Sequence, residues 1–223
     1  MDEGAPQGQG LTLEQQREIE ELESLASSEV GIPFVEEEWD MLAPNVWTKT
    51  ESHTDGGRSV ALRIEGLTAL EWASENLWLP RLQQVEAALT APHSLTNAES
   101  QKLSFEQENL LARLSTLDRW HQYEAMASAT LPGIIQPQAC SPSANASAMP
   151  TTAQPGAKAY GNSRSCVTEA WSQAAVTPPY TVQNVTAPIG QLASASLTAY
   201  GPNCASFAHA SAPPLYEEDV FDC

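Results

Sequence analysis

Hydrophobic residues near the amino terminus recur at the spacing of a helix. Ile19, Leu22 and Leu25 fall on one face, and glutamates occupy most of the other positions. Thr12 can accept a hydrogen bond from the first turn while Gln15 bonds back to it, which is the pattern of a capping box. The pattern predicts an acidic helix with a narrow apolar stripe, which is marginal unless it docks on another surface.

Beyond Pro44 apolar and polar residues alternate instead. The segments 46–51 and 59–65 both have the period of a strand, and Asp55-Gly56-Gly57 between them is a turn signal. The alternation therefore predicts a β-hairpin at about 46–65. Two strands alone are only marginally stable, so we expect this hairpin to pack on the helices that follow.

Helical spacing returns after Gly66. One helix is predicted over 68–90 with a break or kink at Pro80. Thr96 and Glu99 then repeat the capping-box pattern, and they open a long helix predicted over 97–127.

Leucines on this long helix suggest how it packs. Three of the four are spaced by seven residues, as in a short leucine zipper of about three heptads. Two arrangements are open: a helical hairpin with the preceding helix, or a self-pairing coiled coil that makes a homodimer or heterodimer through helix 97–127. The residues concerned are Leu103, Leu110, Leu114 and Leu117.

The remainder of the chain differs in composition. Residues 133–223 hold 10 of the 16 prolines and only 7 charged residues, and they consist mostly of small polar residues and alanine. Few large apolar side chains are present to offset the entropy lost on ordering, so this part is predicted to be disordered. The predicted fold class is therefore mainly α: an acidic segment (1–44), a small helical module with the β-hairpin (45–130) and a long disordered tail (131–223).

Charge and cysteine content restrict the classes of partner and the cellular compartment that we expect. The net charge of −18 disfavours direct binding to nucleic acid or anionic membranes. No apolar run has the length of a transmembrane segment, and the acidic start does not resemble a signal peptide. We therefore expect a cytoplasmic protein, with the nucleus as an alternative. Cys140, Cys166, Cys204 and Cys223 match no zinc spacing and are expected to be reduced thiols.

No pattern in the sequence indicates catalysis. The chain lacks a phosphate-binding glycine loop, a metalloprotease helix motif, a serine-hydrolase motif and a Cys-x-x-Cys pair. Its histidines are scattered, and its carboxylates occur in runs rather than as a converging pair. The sequence therefore predicts a protein that is not an enzyme and needs no cofactor or metal.

One short segment combines charge with large apolar side chains. Glu36, Glu37 and Glu38 lead directly into Trp39, and Leu42 follows three positions later. This segment resembles the motif that binds the Atg8 family of ubiquitin-like autophagy proteins. The resemblance implies that the segment adds as a strand to a partner's sheet edge, that the two apolar residues fill two pockets, and that the acids meet a basic rim.

Two other interpretations fit the same residues. Val35, Trp39 and Leu42 also lie on one face of a helix, as in acidic transcriptional activation segments that fold on a coactivator. Alternatively, Trp39 packs on the small core and the glutamates form a hydrated face. A partner through 34–42 is thus an Atg8-family protein, a coactivator or none.

A second motif lies near the carboxyl terminus. Pro213 and Pro214 precede Tyr216 with one residue between, which is the PPxY pattern read by WW domains. WW domains of HECT-type ubiquitin ligases are a common class of reader, so a disordered tail that carries 213–216 would recruit such a ligase.

Together these features predict a non-enzymatic adaptor or scaffold that acts through short linear motifs. The leading interpretation is an autophagy adaptor with a WW-domain-binding tail. The alternative is an acidic transcriptional cofactor that works through an activation segment and helical pairing. A viral accessory protein that recruits host ligases is a third class.

Overall fold

The chain folds into helices and strands that account for most of its length. The computed structural model describes residues 11–28, 34–54, 57–91, 95–129, 140–166, 168–178, 180–201 and 204–222. The helices are α1 (Leu13–Ala26), α2 (Leu67–Ala73), α3 (Leu79–Thr90) and α4 (Asn97–Ala129), with a 3₁₀ turn at Glu36–Glu38 and a π-helical turn at Ser74–Trp78. The strands are β1 (Asp40–Ala43), β2 (Val46–Ser52), β3 (Arg58–Glu65), β4 (Ser143–Pro150), β5 (Gly156–Arg164), β6 (Ala170–Thr177), β7 (Thr181–Ala187), β8 (Leu192–Tyr200), β9 (Ala205–Ala212) and β10 (Leu215–Asp222).

The strands form two antiparallel sheets that face each other. One sheet has the order β1-β2-β3-β10-β9-β6-β7 and the other the order β4-β5-β8. The smaller sheet packs on the β10-β9-β6 part of the larger one, which makes a β-sandwich. Around the sandwich β5, β8, β7 and β6 are neighbours in that order, as in a Greek key. A hydrogen bond of 2.8 Å from the Ser196 amide to Gln183 links β8 to β7.

Small residues allow the two sheets to approach closely. Ala159 and Ala195 from one sheet pack against Ala174 and Ala208 from the other, and all four are buried. At Gly161 a Cβ atom would lie 2.5 Å from the carbonyl oxygen of His209, so no larger residue fits there without a backbone shift. Close packing of many small groups gives the contact density of an ordinary protein interior.

The prediction of a mainly α fold with a disordered tail over 131–223 is therefore wrong. Residues 143–222 supply seven strands, and most of their side chains are buried or partly buried. The prediction equated few large apolar residues with the lack of a core. In the sandwich, alanine, serine and glycine are buried between the sheets, and the strand ladders satisfy the backbone hydrogen-bonding groups. Residues 130–139 lie outside the described residues.

The predicted β-hairpin at about 46–65 is confirmed. Strands β2 and β3 pair antiparallel from Val46↔Ile64 to Ser52↔Arg58. β3 also pairs along its whole length with β10, so the boundary drawn at 130/131 separates two segments that share one sheet.

Helices α2, α3 and α4 cover the outer face of this sheet. Their core combines aromatic and aliphatic side chains from both layers, including Trp78, Leu110 and Trp120 from the helices with Ile64 and Tyr216 from the strands. The indole N–H of Trp120 donates a 2.9 Å hydrogen bond to Ser211 in β9. The helices thus dock on a surface to which both β2-β3 and the C-terminal strands β9 and β10 contribute.

Helix α1 docks on the opposite side of the sandwich. Leu22 and Ala26 are buried against Tyr160 of β5, and the Glu18 carboxylate accepts a 2.8 Å hydrogen bond from Lys158. The capping box predicted for this helix is confirmed, since Gln15 bonds the Thr12 amide and Thr12 accepts from the Gln15 amide. The capping box at Thr96 and Glu99 is confirmed in the same way.

The expectation of reduced thiols is wrong for at least three of the cysteines. Cys140 and Cys166 form a disulfide that ties the start of the sandwich to the segment between β5 and β6. Cys204 is disulfide-bonded as well, and Cys223 lies outside the described residues. Their wide spacing along the sequence gave no sign of pairing, because the sandwich brings distant residues together.

Replacing both Cys140 and Cys166 by serine should destabilise the sandwich. A cross-link that closes a loop of this length stabilises a domain by about 3 kcal/mol, chiefly by restricting the unfolded chain. Urea unfolding of parent and double variant measures the loss. Peptide mapping without reduction provides the control, because it should recover a fragment that links Cys140 to Cys166. A parent chain that carries both as free thiols would contradict the assignment.

Candidate functional site

The acidic tryptophan segment lies at one edge of the seven-stranded sheet. Glu36–Glu38 form an exposed 3₁₀ turn, Trp39 follows, and β1 pairs on one side with β2. In the described part of the chain no strand pairs with the other side of β1. Met41 is 59% exposed and Leu42 is 46% exposed. We call residues 36–43 the β1 edge.

Trp39 and Leu42 line different cavities. Trp39 contacts Phe34, with ring centroids 5.6 Å apart, and lines a cavity of about 150 Å³ on the sandwich side of the sheet. Leu42 lines a groove of about 380 Å³ between the sheet and the helices. Residues three apart in an extended chain point to opposite faces, so the folded chain does not present this pair on one surface.

The helical interpretation of this segment does not describe the folded chain. A helix would place Val35, Trp39 and Leu42 on one face, whereas Asp40–Ala43 is a β-strand that pairs with β2, with an irregularity in the register between Met41 and Ala43. Trp39 is partly buried, with Phe34 between it and the buried Trp47. The three glutamates remain exposed, as each of the interpretations expected.

The cavity beside Trp39 is lined by the buried carboxylate of Asp219 and the partly buried carboxylate of Glu217, and we call it the Asp219 cavity. Glu217 and Asp219 reach it from β10, opposite Ala61 of β3 and beside Ala146 of β4. Glu217 contacts the Arg63 guanidinium. Asp219 accepts a 2.8 Å hydrogen bond from the Ala148 amide through Oδ2. The two residues are two apart in one strand and therefore share a face.

Burial changes the protonation of these acids. Removal from water disfavours a charged carboxylate, and it raises the pKa of Asp219 to about 7 despite the hydrogen bond from Ala148. Burial likewise raises the pKa of Glu217 to about 7, against the attraction of Arg63. The cavity therefore changes charge near neutral pH.

The opposite face of β10 carries a separate buried network under the helices. The Tyr216 hydroxyl donates a 2.6 Å hydrogen bond to Glu218, whose carboxylate also lies 2.8 Å from Nε of Arg113. Burial and the Glu218 charge hold the pKa of Tyr216 well above its ordinary value. The network forms part of the wall of the groove that Leu42 lines.

The PPxY residues lie in this folded region, not in a tail. Pro213 and Pro214 form the turn between β9 and β10, and Tyr216 is 0% exposed, packed against Trp78. The expectation that residues 213–216 lie in a disordered tail is therefore wrong, and the Tyr216 ring is buried although Pro214 is exposed. A WW domain could reach the Tyr216 ring only after β10 leaves the sheet. Ligase recruitment itself stays an untested prediction.

The leucines of α4 face the chain's own core. Leu110 is buried in it, and Leu103, Leu114 and Leu117 pack against it partly buried. This placement agrees with the helical-hairpin alternative. A dimer through helix 97–127 stays a prediction.

Sequence reasoning missed the carboxylates that define the cavity. Residues 215–222 alternate, with Tyr216 and Glu218 on one face and Glu217 and Asp219 on the other. This period of two was the available signal. The composition of the surrounding chain, rich in alanine and small polar residues, predicts disorder and outweighs this short pattern.

Within the described residues no group of three or more His, Cys, Asp or Glu side chains could hold a metal ion. None of the described helices combines the length and apolarity required to cross a bilayer.

Comparisons with protein-family models, with curated proteins and with solved structures gave no match to this chain. Its function is therefore argued from the geometry of its surfaces.

Replacing Asp219 by asparagine should flatten the pH dependence of stability. The folded state binds the Asp219 proton more tightly than the unfolded state does, so this stabilisation is complete below about pH 4 and is lost as the pH rises to about 7. One such group changes the free energy of unfolding by ~1.4 kcal/mol per pH unit within that window. Urea unfolding between pH 4 and 8 measures the slope. The exposed replacement Asp40→Asn is the control, and an unchanged slope in Asp219→Asn would contradict the assignment.

Replacing Tyr216 by phenylalanine should destabilise the fold although the ring remains. The change removes the hydrogen bond to the buried Glu218 carboxylate, which costs about 1–3 kcal/mol. Tyr180→Phe, at a half-exposed tyrosine, should change stability by less than about 0.5 kcal/mol. Denaturant unfolding compares the two variants. Equal, negligible effects would show that Tyr216 is not in the core.

Proposed function

We propose that this chain is a non-enzymatic binding module that pairs an extended, basic segment of a partner protein with its β1 edge. The observation that carries the proposal is the position of β1 at the open end of the large sheet, with Met41 and Leu42 exposed. An exposed edge strand offers a row of backbone donors and acceptors, and addition of a strand to such an edge is a common mode of peptide recognition.

Charge supports a basic partner. Glu36, Glu37 and Asp40 are exposed, while Glu38 bonds Lys49 at 3.1 Å. Several carboxylates therefore flank the open edge, in a chain whose net charge is −18. Such a field accelerates encounter with positively charged segments and disfavours acidic ones.

The proposal keeps the strand addition suggested by the Atg8-type motif but changes the role of its side chains. Trp39 is partly buried beside the Asp219 cavity, so insertion of both Trp39 and Leu42 into a partner would require the β1 edge to leave the sheet. Backbone pairing along β1 requires no such rearrangement. An Atg8-family protein is therefore one partner to test, and the transcriptional alternative has no structural observation in its favour.

The disulfides indicate the kind of compartment in which this chain would bind its partner. Disulfides persist in oxidising compartments and are uncommon in cytosolic proteins. The bond between Cys140 and Cys166 thus favours a partner in an oxidising environment over the cytoplasmic location expected from the sequence.

A binding titration followed by the fluorescence anisotropy of a labelled peptide tests the proposal. A seven-residue peptide that alternates valine with lysine or arginine should bind at 0.15 M salt with a dissociation constant of about 100 μM or tighter. The same peptide with glutamate at the charged positions should not bind. Hydrogen exchange should show protection of β1 amides only with the basic peptide.

Two single-lysine variants separate strand pairing from general charge attraction. Met41→Lys places a cation on the β1 edge. It should weaken the affinity for the basic peptide about tenfold, which corresponds to about 1.4 kcal/mol. Leu111→Lys makes the same charge change on an exposed position of α4 and should alter binding by less than about twofold. Equal losses in the two variants would mean that the peptide binds through net charge alone, and the proposal would fail.

A further inference from the structure

The Asp219 cavity lies where three strands of the large sheet meet a covering layer. Ala61 of β3 pairs with Lys49 of β2 on one side and with Asp219 of β10 on the other. Because the central residue of this row is alanine, space remains between its two charged neighbours. Phe34 and Trp39 cover that space, and its volume is about 150 Å³.

Asp219, which lines the cavity, has one carboxylate oxygen without a hydrogen-bond partner among the described residues. Asp219 is 8% exposed, and its Oδ1 accepts no hydrogen bond from any described residue, whereas its Oδ2 accepts from the Ala148 amide. A buried acceptor without a donor is unfavourable, since it has lost its water without replacement. The position therefore suits a group that brings an N–H donor.

The charges around the cavity select the kind of donor. Five of the lining residues are acidic: Glu38, Glu51, Glu217, Glu218 and Asp219. The Glu218 carboxylate is engaged by Arg113 and Tyr216 on the helix side of β10. The two nearby bases are already engaged, Lys49 with Glu38 and Glu51 and Arg63 with Glu65 and Glu217. Asp219 has no ion pair within the described residues. A cation would balance this surplus of carboxylates, and an anion would add to it.

We propose that the Asp219 cavity binds one organic cation, the guanidinium or ammonium end of a lysine or arginine side chain from the segment that pairs with β1. This inference rests on the proposed function for the source of the side chain. Trp39 joins the cavity wall directly to the first residue of β1, so a side chain from a segment on that edge is close to the opening. The aromatic wall favours a cation as well, and Arg63 already lies 4.5 Å over the Phe34 ring.

The size of the cavity excludes bulkier occupants. Small-molecule and cofactor sites usually measure about 300–1,000 Å³, so a cavity of about 150 Å³ holds a side-chain head group and not a cofactor. A divalent metal ion requires more ligands than the described residues converge there.

Titration with a small probe tests the cavity without a partner. Propylguanidinium added to the ¹⁵N-labelled full chain at pH 8 should shift the Ala148 and Asp219 amide signals and the Trp39 indole signal. The shifts should saturate with a dissociation constant on the order of 10 mM, which is reasonable for so few atoms. Propylurea, of nearly the same shape but neutral, should produce no saturable shift.

Matched variants decide whether the Asp219 carboxylate binds propylguanidinium. Asp219→Asn should weaken the binding of propylguanidinium at least about tenfold. Glu86→Gln, which removes an exposed carboxylate on α3 away from the cavity, should leave the affinity unchanged. Equal binding of propylurea, equal binding to Asp219→Asn, or no saturable shift in the parent chain would each overturn the inference.

An error in the cavity assignment and an error in the proposed function would give different experimental results. Propylguanidinium needs no strand pairing, so Met41→Lys should still bind it although this variant loses the basic peptide. If the cation does not bind but the peptide does, the cavity assignment alone is wrong. If the cation binds but the peptide does not, the cavity remains and the strand-pairing function fails.

Discussion

The pairing of β10 with β3 is the interaction on which the rest of the structure depends. β10 is one of the last described elements in the sequence, yet it lies in the middle of the seven-stranded sheet, between β3 and β9. Without it β1, β2 and β3 would be separated from β9 and the rest of the large sheet. The helices would also lose Tyr216 from the surface on which they pack. One strand thus holds the helical layer, the hairpin and the sandwich together.

The same strand carries a concentration of acids that is costly to bury. Glu217, Glu218 and Asp219 are consecutive, so the alternation of a strand sends them to both faces. Arg63 and Arg113 each pair with one of the glutamates, which offsets part of the desolvation. Asp219 is left with backbone partners. That asymmetry distinguishes the two faces. Glu218 is ion-paired with Arg113, whereas Asp219 has no ion pair within the described residues and one of its oxygens accepts no hydrogen bond.

Local patterns were read correctly from sequence where each element could be recognised alone. Both capping boxes, the hairpin at about 46–65 and the long helix depend on residues close together in the chain, so propensity and periodicity were sufficient. For the candidate site, the sequence alone indicates one part and not the other. Trp39 and its glutamates stood out by composition. Asp219 lies 180 positions after Trp39, and no local pattern links the two residues.

By itself the sequence determined which segments could become regular elements and that the molecule is strongly acidic. Only the tertiary structure decided that the alanine- and serine-rich half is a sandwich, because a core of small residues is stable only when two sheets bring their backbones close. Tertiary structure also decided that Tyr216 is buried, that Cys140 meets Cys166, and that Trp39 lies beside Asp219. Each of these facts depends on contacts between residues far apart in sequence, and periodicity along the chain contains no information about such contacts.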